Sequence, residues 1–112
     1  MLGRMNTTLA WILLLIAGLF EVIWAYFLKQ SAGFTKIVPA SLFFLSLAIS
    51  MALLAYAMRN IPLSLAYPIW TGIGAIGSIL VGVFFFHEPL GFVRILFLSF
   101  ILIGIVGLKA VA

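Results

Sequence analysis

Residues 9–28 read LAWILLLIAGLFEVIWAYFL, twenty residues that are apolar except for one carboxylate, Glu21. About 20 apolar residues in a helix cross the hydrocarbon core of a bilayer. Glu21 lies well inside the run. An acidic side chain near the centre of a membrane helix costs roughly 2.5–3.5 kcal/mol on insertion scales. The chain carries that cost although it holds only two acidic residues. Carboxylates in such positions face a bundle interior or a water-filled cavity and mark a path for an ion, a proton or a substrate. The plainer alternative is a structural carboxylate satisfied by a neighbouring helix.

The rest of the composition agrees with a membrane setting. Of 112 residues, 67% are hydrophobic and 7% charged, and the mean hydropathy is +1.42. A soluble domain of this size cannot bury so much apolar surface, so the class is an all-α integral membrane protein. The length suits a single membrane domain over 1–112, without an appended soluble module. The net charge of +4 reflects scarce acids more than abundant bases, and the six Lys and Arg are scattered. A nucleic-acid partner is therefore not expected. The absence of cysteine excludes disulfides and cysteine metal sites. A cleaved signal peptide fits poorly, because the run is too long and holds Glu21 where such a segment is uncharged.

Working outward, the sequence predicts four transmembrane helices, at about 9–28, 37–58, 63–86 and 91–108. Thr7 or Thr8 offers a cap for the first. The loop KQSAGFTK follows, with Gly33 as its turn residue. Pro39 sits in the first turn of the second helix, where a missing N–H does no harm. Arg59, Asn60, Ile61 and Pro62 make a tight connection, and His87, Glu88, Pro89 and Leu90 the third turn. Unbroken runs of this length exclude barrel strands, which need about 9–11 alternating residues.

Short loops make successive helices antiparallel, so the positive charges can be counted by side. Arg4, Arg59 and Lys109 fall on one side, and Lys29, Lys36 and Arg94 on the other. The positive-inside rule therefore sets no orientation. Either the chain inserts both ways and pairs as an antiparallel homodimer, or an unseen partner sets a fixed orientation. Four helices give little room for an enclosed cavity, and a dimer doubles them. It also brings two Glu21 carboxylates close together, where they would lose their protons in coupled steps.

Several residues share faces with Glu21 or with one another. Gly18 and Trp24 lie three residues to either side of Glu21, on one helix face. Trp24 supplies an indole N–H that can hold the carboxylate and a ring face for a cation, or else it is an interfacial belt residue. Ser46 and Ser50 face one way in the second helix, where serines commonly bond back to their own backbone. Tyr67, Trp70 and Gly74 form a stripe on the third. Gly72, Gly74 and Gly77 there permit either a conformational hinge or close packing, and Pro68 should disturb the preceding turn. Gly104 and Gly107 make a small-residue face suited to dimer packing. Arg94 reads as a snorkelling end residue. A lone His87 in a solvated turn is not a metal site. No catalytic triad, phosphate loop, metal cluster or cofactor motif is present, so an enzyme is not expected.

Together these residues resemble the small multidrug resistance family of four-helix transporters. The resemblance rests on Gly18, Glu21 and Trp24, on GFT followed by Lys36 and Pro39, on AYPIWTGIGA around Trp70, and on the closing GLKA. It implies an antiparallel dual-topology homodimer in the bacterial cytoplasmic (inner) membrane that exchanges protons for cations through Glu21. Trp24 and Thr71 resemble the guanidinium-exporting subtype rather than the multidrug one. Carried over residue by residue, the implied site is Glu21, Trp24, Ser50, Tyr67 and Trp70, lined by Gly18, with Ser50 holding Glu21 in register. Pro68 stands where the family pattern has Ala. The alternative within the same fold is a broader quaternary ammonium and multidrug cation exporter.

Overall fold

A computed structural model describes residues 7–112. Four helices account for nearly all of them: α1 (Thr7–Gln30), α2 (Ile37–Ala57), α3 (Leu63–Phe85) and α4 (Phe92–Ala110). All four are long and apolar enough to cross a membrane. At 1.5 Å per residue, α1 extends about 36 Å, more than a hydrocarbon core. Thr7 and Thr8 lie inside α1 rather than before it. Arg4, used in the charge count, lies outside the described residues. α3 continues through Pro68 without a break. Pro68 is its sixth residue, so the missing N–H falls just past the first turn, and the disturbance expected there does not end the helix.

The connections are short because local hydrogen bonds close them. Ser31 is fully buried after α1: its Oγ donates to Leu28 O at 2.7 Å and accepts from Phe34 N at 3.2 Å. Gly33 sits at φ +72, between Ala32 at +49 and Phe34 at +66, so three consecutive residues take the left-handed region. Ile61 N donates to Ala57 O at 3.0 Å and buries Ile61 beneath the second connection. In the third turn Glu88 N donates to Gly82 O at 3.0 Å.

α1 packs between α2 and α3, and α4 packs on α3. The centre of the core is small: Ala10, Leu14 and Ala17 recur at helical spacing on α1 and meet Leu54, Ala57, Ile61, Ala66, Ile69 and Trp70. Small residues on α1 let the backbones approach, the usual basis of helix association in lipid. Large apolar side chains point outward, and α4 buries none of its residues. That inversion suits a lipid solvent. The bundle measures 45 × 36 × 17 Å. With helices about 10–12 Å across, its thin dimension is less than two helix diameters.

Candidate functional site

Glu21 faces α3 along the α1–α3 seam. Gly74, opposite it, is buried, and a Cβ at that position would overlap the Glu21 carboxylate. The carboxylate thus occupies space that only glycine leaves open. The same seam is lined by two further glycines. A Cβ on Gly18 would stand 2.7 Å from Ile73 Cγ2, and one on Gly77 would overlap Val22. Glu21 Oε1 is shielded from solvent and has no hydrogen-bond partner among the described residues. A shielded carboxylate oxygen without a donor is costly, which makes it a strong acceptor for an incoming N–H or proton.

Trp24 lies one turn further along α1. Its Nε1 is likewise shielded and without a hydrogen-bond partner among the described residues. Its ring meets Phe43 of α2 edge-on, with centroids 5.8 Å apart. The indole therefore does not hold Glu21, contrary to the expectation from spacing. Phe43 fixes the ring's position instead.

A second chain of contacts reaches α1 from α3 through α2. Trp70 Nε1 donates to Ser50 Oγ at 3.0 Å, and Ser50 Oγ donates to Ala17 O at 2.7 Å. Ser50 is fully buried and Trp70 is 3% exposed. Ser50 does not bond the Glu21 side chain. It bonds the carbonyl four residues earlier, which in an α-helix is the acceptor of the Glu21 N–H. Ser50 therefore fixes the backbone that carries the carboxylate. Ser46 bonds back to Leu42 O at 2.7 Å, the ordinary behaviour of a membrane serine. The two serines share a face, and only the second is used across helices.

Tyr67 packs on Trp70 with ring centroids 5.3 Å apart and remains 51% exposed. The bundle thus brings Gly18, Glu21 and Gly74 together in one seam and Ser50, Trp70 and Tyr67 in one chain beside it. Gly72 packs against Ile105 of α4, so Gly72, Gly74 and Gly77 each receive a neighbouring side chain. Gly104 and Gly107 face open space.

Comparison with known proteins shows the family. Residues 9–101 match the family model described as Small Multidrug Resistance protein. The chain belongs to the small multidrug resistance family. A protein of Yersinia pseudotuberculosis named "Guanidinium exporter" is 50% identical over 90% of this chain and 97% of its own. Relatives of the same name in Salmonella typhimurium and Proteus vulgaris are 46% and 44% identical, again over 90% of this chain and 96% and 97% of theirs. Family membership makes the chain a multi-pass membrane transporter and not an enzyme.

Three participants in this candidate site escape a reading of the sequence. Ala17 contributes a carbonyl, which every residue has. Phe43 is one of 11 phenylalanines, and no spacing distinguishes it. Ile73, which covers Gly18, looks like any lipid-facing isoleucine. The only available signal was Ala17 itself, a small residue one turn before the carboxylate.

Proposed function

We propose that the chain, as one membrane domain, exports guanidinium and small substituted guanidinium cations in exchange for protons. It does so as an antiparallel, dual-topology homodimer in the bacterial cytoplasmic membrane. The observation that carries this reading is the shielded, unpartnered oxygen of Glu21, held over Gly74 in the middle of a membrane helix. The relatives named guanidinium exporters suggest the substrate.

The chemistry follows from the donor set. Guanidinium is planar and presents forked N–H donors that match a carboxylate two at a time. The faces of Trp24, Tyr67 and Trp70 offer π contacts to the plane of the cation. Gly18 lets Ile73 of α3 approach α1 one turn before the carboxylate. Glu21 takes either a proton or a cation, so each displaces the other, and alternating access carries them in opposite directions. Gly72, Gly74 and Gly77 are the hinge of that motion. Among the described residues, a bundle 17 Å thick leaves little room for a central chamber, so a second copy completes the path. The open face of Gly104 and Gly107 on α4, a helix that buries none of its residues, is where the copies pack.

Reconstitution of the purified protein in liposomes tests the reading. An imposed guanidinium gradient should drive opposing proton flux, and Glu21→Gln should abolish it while leaving insertion intact. An amide keeps the shape of the carboxylate and cannot exchange a proton. Binding should weaken as pH falls, because a protonated Glu21 cannot accept two N–H donors from the cation. Coupled flux retained by Glu21→Gln removes the carboxylate from the mechanism. Flux with tetraethylammonium but not guanidinium selects the broader cation exporter instead.

A further inference from the structure

The geometry points to a bound-lipid site for one anionic phospholipid in the groove between α1 and α4, with its headgroup at Lys109. α1 and α4 do not pack against each other; both rest on α3. Near the start of α1, Lys109 of α4 crosses the gap and places Nζ 4.6 Å from the centroid of the Trp11 ring. Around this pair lies a cavity of about 470 Å³ lined also by Thr7, Thr8, Ile12 and Leu15. Its polar side-chain groups are two hydroxyls, the Trp11 indole N–H and one ammonium, a set that donates to phosphate oxygens. Trp11 is suited to the headgroup level by its apolar ring and its N–H.

Leu15 also lines the next cavity, of about 390 Å³, which continues along the same side. Leu19 and Val22 of α1 form one wall, Leu102 and Ile105 of α4 the other, and Ile73 lies in the floor. Every residue lining this second cavity is apolar or glycine. The two cavities together have the polarity profile of a phospholipid, a charged head followed by a hydrocarbon tail. The length agrees as well. From Thr7 to Val22 is about 22 Å along a helix axis, and one leaflet with its headgroups is about 20–22 Å deep. Charge decides the class of lipid. Lys109 has no acidic neighbour in the cavity lining, so a net negative headgroup is favoured over a zwitterionic one.

Native mass spectrometry of the detergent-solubilised protein, titrated with phosphatidylglycerol or phosphatidylcholine, tests the proposal. The wild type should retain phosphatidylglycerol about fivefold more tightly, the effect of roughly one basic residue at an anionic surface. Lys109→Gln should erase the preference, and Lys36→Gln, on the exposed first loop, should keep it. Leu102→Trp fills the groove and should reduce retention of both lipids. Equal retention of the two lipids by the wild type overturns the proposal. So does loss of preference in Lys36→Gln equal to that in Lys109→Gln, or unchanged retention in Leu102→Trp. A second copy seated in the groove is the competing occupant. The chain has no cysteine, so Leu19→Cys reports this directly: efficient disulfide-linked pairs in membranes would mean that a second copy, not a lipid, covers the groove.

Discussion

Replacing Gly74 by alanine separates the position of Glu21 from its presence. A Cβ at Gly74 would overlap Glu21 Oε1 and Cδ and stand 2.7 Å from Cγ. Turning the carboxylate about its last bond moves only the oxygens; Cδ lies on that axis and Cγ precedes it, so both of those contacts remain. Glu21 must therefore leave its rotamer at χ1 or χ2, and the carboxylate moves out of the seam. The stability change is a small difference. Overpacking costs about 1–3 kcal/mol, and alanine in place of glycine within a helix returns about 1 kcal/mol. The net cost is about 0–2 kcal/mol, so Gly74→Ala should fold. Binding is less forgiving, because a displacement of about 1 Å at a site that must align two N–H donors can cost on the order of 10²-fold. Guanidinium affinity should drop about ten- to hundredfold, or about 1.4–2.7 kcal/mol. Gly77→Ala is the control: its Cβ would overlap Val22 instead, with a similar packing cost and no contact with the carboxylate. Isothermal titration gives the affinities, and thermal unfolding in detergent gives the stabilities. Wild-type affinity in Gly74→Ala, or an equal loss in Gly77→Ala, would refute the idea that glycine at 74 serves to seat Glu21.

Ser50→Ala should destabilise the bundle by about 1–3 kcal/mol, because it leaves the buried Trp70 indole N–H without an acceptor; in a Trp70→Phe background the same change should cost much less, as a double-mutant cycle of thermal unfolding will show. Trp24→Gly should narrow the preference for guanidinium over tetraethylammonium, which has no N–H to donate, from an expected range of about five- to two-hundredfold; binding isotherms for the two cations measure it, and an unchanged ratio removes Trp24 from selectivity. Adding two lysines after Ala112 should bias a chain of balanced charge toward one orientation; a C-terminal reporter should read on both sides before the change and on one after it.

The helices were legible because each is a long apolar run closed by turn residues, and membrane insertion leaves few other options for such a run. Helix ends were less so, since Lys29 and Gln30 continue α1 past its apolar stretch. Glu21 stood out for a thermodynamic reason: a charge inside an apolar run has no bland explanation of comparable strength. Partners across helices were another matter. Spacing on one helix places Gly18, Glu21 and Trp24 on a face, yet it says nothing about what that face meets. Ser50 was expected to hold Glu21 in register, and its hydroxyl bonds no atom of the Glu21 side chain. The backbone carbonyl of Ala17 won instead. In lipid a buried hydroxyl donates to the acceptor that close packing supplies, and the small residues on α1 bring its carbonyls within reach. The outcome matters for the proposed exchange. A hydroxyl bonded to Glu21 would compete with both proton and cation for the same lone pairs. Bonded to Ala17, Ser50 steadies the turn beneath the carboxylate and leaves its oxygens to the ligands.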